Sequence, residues 1–269
     1  MLISSHSNPK IKAIRALRHR KERSQTGQAF IEGIRIVADA AQVPGTIQTL
    51  IIAPELLTST FAQKLVQTQR EKNVPCLEVS AEVFKSLSLK EGPQGIGAII
   101  RQHWEALEQV ELTNDFCWVA LDAIQDPGNL GTILRTCDAV GCTGIILLDQ
   151  STDPYDPEAL RASMGAVFYQ RLVKTTFEAF VDWKQRHGIY VVGTSGASNE
   201  DYRSVSYHFP LVLLMGSERQ GLSAQQQAAC DLMVKIPMVG RSDSLNLAVA
   251  TGIVLYELFY QRHSNKRSI

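Results

Sequence analysis

Short apolar runs of strand type alternate along this chain with stretches whose apolar residues recur every three or four positions. Residues 8–23 set Ile11, Ile14 and Leu17 on a narrow stripe, with Asn8 able to cap and Pro9 suited to a first helical position, so one helix is expected there. Gly27 breaks the pattern, and 30–37 lead into a second helix that ends before Pro44. Strands at 47–52, 75–79 and 96–100 then alternate with helices around 56–70 and 81–87, which describes a small α/β unit. Residues 102–114 are polar and lack Gly and Pro, so they read as a linker with room for some helix.

A second alternation starts at Phe116. The run 118–124 is continuously apolar, as expected of a strand buried on both faces. The loop Gln125–Asn129 follows, then a helix at 130–140 and a strand at 144–148. Helices at 157–168 and 177–187 precede strands at 189–193, 211–215 and 232–236, with a further helix at 223–230. This order predicts a largely parallel, doubly wound sheet. A last helix is expected from Ser244, whose hydroxyl can cap it, with Asn246 in its first turn. It is apolar nearly all round, so it needs burial on more than one side, against another part of the fold or another subunit.

Composition narrows the class. With 269 residues, 45% of them apolar and 20% charged, the chain can bury a core as one large or two modest domains. Its formal net charge of zero gives no hint of a nucleic-acid partner. The distribution says more: Lys10, Lys12, Arg15, Arg18, Arg20, Lys21 and Arg23 face a single acid, Glu22, and the tail carries Arg262, Lys266 and Arg267. Such a run is either a phosphate-binding patch or a solvated helix face. Cys76, Cys117, Cys137, Cys142 and Cys230 are scattered with no CxxC pair, so neither a zinc site nor a disulfide framework is indicated and no metal is expected. Cys137 and Cys142 read as small core residues. The N-terminus lacks the apolar stretch of a signal peptide and no run reaches membrane-spanning length, so a cytoplasmic protein, or one of an organelle matrix, is expected.

The chemistry concentrates in three loops. Asp126–Asn129, Gly216–Gly221 and Met238–Ser244 each follow an apolar strand, and in a parallel sheet such loops gather on one edge and can form one site. G-x-G-x-x-G does not follow any of these strands, and the Walker lysine pattern is missing, which disfavours nicotinamide cofactors and nucleoside triphosphates.

Asn129-Leu-Gly-Thr-Ile-Leu-Arg135 with Gly141, Leu214 to Leu222, and Ile236-Pro-Met through Ser244-Leu-Asn-Leu-Ala-Val-Ala250 resemble, in order, three motifs of the SpoU/TrmH family of RNA methyltransferases in the SPOUT superfamily. Asn8-Pro-Lys, Phe30, Glu32-Gly33 and Arg35 resemble the substrate-binding domain of its ribosomal-RNA branch, so the resemblance covers nearly the whole chain. It implies a C-terminal α/β domain with a deep trefoil knot and a mostly parallel sheet at 115–269. A linker at 103–114 would precede it, and a domain similar to ribosomal protein L30e would occupy 1–102. It also implies a homodimer with the last helix at its interface, and S-adenosylmethionine bound in a bent form. The expected reaction is methyl transfer to a ribose 2′-hydroxyl, in ribosomal RNA of the 23S type. The same reaction on transfer RNA and a catalytically silent RNA binder are the alternatives, with a nucleotide-dependent oxidoreductase as the generic fallback.

By the same resemblance Gly216, Ile236, Met238 and Leu245 contact the cofactor, with Thr194 and Gly196 on its far side. Asn129, Arg135, Glu218, Ser244 and Asn246 lie near the reacting centre. Lys10, Lys12, Arg15, Arg18, Lys21, Arg23 and Arg35 are the candidates for RNA phosphate. The family's motif-one arginine is a proposed general base, but arginine keeps its proton above about pH 12, and a bidentate clamp on phosphate suits it better. Both roles stand open for Arg135.

Overall fold

The computed structural model describes residues 2–89, 91–110 and 117–265. Phe116, residues 111–114 of the expected linker, and Lys266 and Arg267 of the basic tail lie outside them. The chain divides into two compact units, Met1–Gln102 with Tyr155–Tyr169, and His103–Pro154 with Gln170–Ile269.

In the first unit the basic stretch folds as two helices rather than the single one expected, α1 (Pro9–Ala16) and α2 (Arg20–Thr26). Asn8 caps α1 by accepting from Lys10 N. The break comes where Arg23 turns inward and donates to the carbonyls of Leu17 and Arg18, at the end of α1. Next come β1 (Gln28–Glu32), α3 (Ile34–Gln42), β2 (Ile47–Ile52), α4 (Thr60–Glu71), β3 (Cys76–Glu78), α5 (Ala81–Leu87) and β4 (Ile96–Arg101). Residues 30–37 were expected to lead directly into helix. They hold the end of a strand and a turn at Gly33, whose φ of 112° suits glycine alone. The sheet runs β1-β4-β2-β3, antiparallel except for β2 with β3. Ile11 and Ile14 of α1 pack with Val83, Phe84 and Leu87 of α5 in its core.

The second unit holds β5 (Cys117–Asp122), α6 (Pro127–Val140) and β6 (Gly144–Leu148). The chain then gives α7 (Pro157–Ser163) to the first unit. The helix expected over 157–168 stops early, because Met164 and Gly165 both take positive φ, and a 3₁₀ turn, Ala166–Phe168, follows. Then come β7 (Arg171–Thr175), α8 (Phe177–His187), β8 (Tyr190–Thr194), β9 (Glu200–Asp201), β10 (Leu211–Met215), α9 (Ala224–Ala228), β11 (Leu232–Lys235) and α10 (Leu247–Asn265). The sheet order is β7-β6-β5-β10-β8-β11-β9 and every neighbouring pair is parallel. The strands β7 and β9 have no counterpart in the expected pattern. Both are short edge strands carrying charge, which dilutes the apolar signal.

Residues 103–110 do not hang free. Glu105 takes a two-pronged ion pair from Arg171, at 2.8 Å and 2.5 Å, and Leu107 and Val110 are buried in the core of the second unit with Trp118 and Phe180. Among the described residues no helix is long and apolar enough to cross a membrane.

Candidate active site

Because the strands are parallel, β5, β10, β8 and β11 lie side by side and send their C-terminal loops to one edge. Those loops carry the three motif segments. After β5, Ala123 adopts φ 47° and Asp126 caps α6, accepting from Asn129 N at 2.6 Å, with Pro127 at the first helical position. The expected loop is therefore shorter than Gln125–Asn129, and Asn129 stands in the first helical turn. After β10, the loop closes on itself through Gly221 N donating to Ser217 O. A Cβ on Gly216 would come within 2.1 Å of the Gly221 backbone, so only glycine allows that closure.

The side chains of the three motifs join in one directed chain of hydrogen bonds. The Glu218 carboxylate accepts from Gln125 N at 3.1 Å, Asp126 N at 3.2 Å and Asn129 Nδ2 at 3.4 Å. A carboxylate can only accept, so Asn129 must turn its NH₂ towards Glu218 and its oxygen away. That oxygen accepts from Asn246 Nδ2 at 2.9 Å. Asn246 in turn uses its own oxygen to cap α10, accepting from Ala248 N and Val249 N. The cap expected at Ser244 is thus at Asn246. Ser244 lies exposed in the loop, before the helix begins. The backbone amides of Gln125 and Asp126 were not among the expected site groups. The Asp-Pro pair at a helix start was the signal that could have found them.

The cofactor candidates sit on the same edge. Thr194 ends β8, and Gly196 is exposed with open space where a Cβ would stand. Ile236 is half-buried, while Met238, Val239 and Leu245 expose apolar side chains in succession. Among the described residues the main-chain groups of 237–245 make no hydrogen bond with other backbone groups. At the foot of the site, burial pushes the Asp122 carboxyl up, a hydrogen bond from Gln226 pulls it back, and Asp149 pushes it up again. No group of three or more His, Cys, Asp or Glu is placed to hold a metal ion among the described residues.

Arg135 stands apart from this chain. It follows Asn129 on α6 by six residues, about 240° round the helix and about 9 Å along it. It is exposed, on a helix whose Thr132 and Thr136 line an open apolar strip with Val249, Gly252, Ile253 and Tyr256 of α10. In the tail, Arg262 donates to Val140 O at the end of α6 and is spent there.

The basic stretch of the first unit divides into free and committed groups. Lys10, Lys12, Lys21 and Arg35 are exposed. Arg15 donates to Ser86 Oγ, and Arg18 donates to the carbonyls of Ser86 and Ser88. Arg23, expected to meet phosphate, is 1% exposed and paired with Asp156 at 3.1 Å, so it is a buried structural cation.

Residues 117–256 match the model of the SpoU rRNA methylase family, and residues 8–98 match that of the MRM3-like substrate binding domain. Among curated proteins, the 23S rRNA (guanosine(2553)-2′-O)-methyltransferase RlmP of Bacillus subtilis is 30% identical over 256 residues, 95% of this chain and 98% of that protein. Among solved structures, an AdoMet-bound rRNA methyltransferase from Sinorhizobium meliloti superposes with a TM-score of 0.88 at 38% identity, covering 98% of each chain. The SpoU methyltransferase AviRb from Streptomyces viridochromogenes, in complex with the cofactor AdoMet, gives 0.87 at 29% identity over 96% of this chain and 99% of that one.

Proposed function

Because this chain belongs to the SpoU rRNA methylase family, we propose that it methylates a ribose 2′-hydroxyl of ribosomal RNA, of the 23S type, with S-adenosylmethionine as donor. It is an S-adenosylmethionine-dependent RNA methyltransferase with the knotted α/β fold of that family and a separate N-terminal α/β substrate-binding domain. The observation that carries the reading is the chain of bonds from Glu218 through Asn129 to Asn246, which ties all three strand-end loops into one polar cluster.

The residues present fit the cofactor. Met238, Val239 and Leu245 offer apolar surface to an adenosine and to the aliphatic part of a methionine chain, Gly196 leaves open space, and the main chain of 237–245, unpaired with other backbone groups, can read polar edges. When bound, S-adenosylmethionine supplies a methyl on a cationic sulfur that leaves readily. What remains for the protein is to align the ribose hydroxyl, whose proton passes to solvent water as the methyl is transferred. Asn129 and Asn246 each spend one amide N–H in the chain and keep a second for a ribose oxygen. Glu218 has three donors on its roughly four acceptor sites, so it acts as a positioning residue rather than as the base. Arg135, with a fork suited to phosphate, clamps the backbone next to the target ribose. Residues 1–102 hold the RNA, 103–114 connect, and 115–269 carry the chemistry. A second copy seats on the α6–α10 strip, bordering Arg135. The work is done in the cytoplasm, with the ribosomal RNA.

The test is methylation by the purified chain of RNA taken from cells that lack it. A new 2′-O-methyl group at one nucleotide of large-subunit ribosomal RNA is expected. Methyl transfer confined to transfer RNA would move the substrate. Cofactor binding with no transfer to any RNA would leave an RNA-binding protein.

A further inference from the structure

A cavity of about 250 Å³ opens in the first unit, walled by the start of α3, the end of α5 and the face of α7. It is smaller than the roughly 300–1,000 Å³ of sites that enclose a drug-sized ligand, so it suits one ring system with the rest of its molecule outside. Leu17, Phe30, Leu87 and Leu160 supply apolar walls. At its side stands Arg18, whose Nη2 is committed to Ser86 O and Ser88 O, while its Nε is buried with no acceptor among the described residues. A buried donor left without a partner is costly, so a ligand that brings an acceptor gains by entering. Exposed Arg35 and Arg161 stand among the lining residues, and the Arg161 side chain makes no hydrogen bond or ion pair among the described residues. They favour a negative charge on the part of the ligand that stays outside. Asp39 is the opposing charge beside Arg35. Burial raises its carboxyl above the ordinary value and Arg35 draws it back.

A flat ring with an acceptor edge, tethered to an anionic chain, is a nucleotide within RNA. Single-stranded RNA is commonly read by taking an unstacked base into such a pocket. We propose that this cavity receives one unstacked nucleobase of the substrate RNA, with a ring nitrogen or carbonyl accepting from Arg18 Nε and the flanking phosphates at Arg35 and Arg161. The inference rests on the reading of the chain as an RNA methyltransferase. It adds a second point of RNA recognition, in the N-terminal unit. α7 lies between β6 and β7 in sequence, so the pocket needs a segment from outside the stretch 8–98.

The full chain, labelled at its methionine methyls, is titrated with AMP, GMP, CMP, UMP and ribose 5-phosphate. Met164 lines the pocket and reports on it, and Met233 on β11, packed against the core of the other unit, serves as the control. At least one mononucleotide should shift Met164, at millimolar concentration, while ribose 5-phosphate does not. No shift with any of the four, or an equal shift with ribose 5-phosphate, overturns the proposal. This titration needs no methylation, so it fails or succeeds separately from the enzymatic reading. Two variants that fill the cavity, Leu160→Phe and Ile34→Trp, are checked for unaltered melting before use. Each should raise KM for RNA roughly tenfold, about 1.4 kcal/mol, with the affinity for S-adenosylmethionine unchanged. Micromolar mononucleotide binding combined with an unaltered KM would instead make a free nucleotide the ligand and sink the RNA assignment.

Discussion

Asn129 is fixed from both ends, by an acceptor that cannot donate and by a donor whose own oxygen caps a helix. Its direction is therefore set by Glu218, and changing that carboxylate to an amide sets a donor against three donors. Glu218→Gln should lower single-turnover methylation by about 10- to 100-fold, the equivalent of the 1.5–3 kcal/mol typical of a charged hydrogen bond. Calorimetric affinity for S-adenosylmethionine should hold. Normal turnover in this variant would remove the chain of bonds from the mechanism. Arg135 is tested by a different comparison. Arg135→Ala should abolish methylation without loss of fold or cofactor binding. Arg135→Lys keeps the charge and loses the fork, so turnover should stay low with no new rise towards alkaline pH. A rate that climbs with pH in the lysine variant would make this residue the base.

At the level of elements, α1 has two jobs on two faces. Ile11 and Ile14 are buried against α5, and Lys10 and Lys12 are left in solvent with Lys21 of α2. Arg23, two residues beyond Lys21, is buried against Asp156 and cannot be counted with them. Each exposed lysine that meets a phosphate releases bound counterion, so RNA affinity should fall with salt. Replacing Lys10, Lys12 and Lys21 together with Gln should flatten the plot of log affinity against log salt by about 2–3 units. Melting temperature should barely move, because no buried group is touched. An unchanged salt slope would return this face to simple solvation.

The molecule as a whole leaves α10 half covered. Leu247, Val254, Leu255 and Leu258 are buried within the second unit, while Val249, Tyr256 and Tyr260 expose large apolar side chains. Of these, Val249 and Tyr256 line a strip with Thr132 and Thr136 of α6 that a second copy of the chain can cover. Sedimentation should find the chain dimeric, and Tyr256→Asp should shift it towards monomer by placing a charge in the seam. Methylation should fall in parallel if Arg135, at the edge of that strip, works only when the copies meet. A variant that stays dimeric would move the interface elsewhere.

What the sequence alone determined was local. Strands buried on both faces, such as β6 and β10, read as unbroken apolar runs, and their bounds at Gly144–Leu148 and Leu211–Met215 follow from that alone. The loops that follow parallel strands were legible for the same reason, and with them the residues at which the family resemblance could be seen. The edge strands β7 and β9 were not, because their pairing is satisfied by a neighbour and not by a pattern of their own. Nor was the fate of Arg23, since a basic residue on a helix looks alike whether it meets water or a carboxylate 133 positions away. Tertiary structure alone decided that α7 would cluster with the first unit, that Asn246 and not Ser244 would cap α10, and that Asn129 would bond residues 89 and 117 positions distant. Such bonds depend on which strands become neighbours in the sheet. That choice is made by the packing of the whole chain and leaves no mark on the spacing of residues within any one segment.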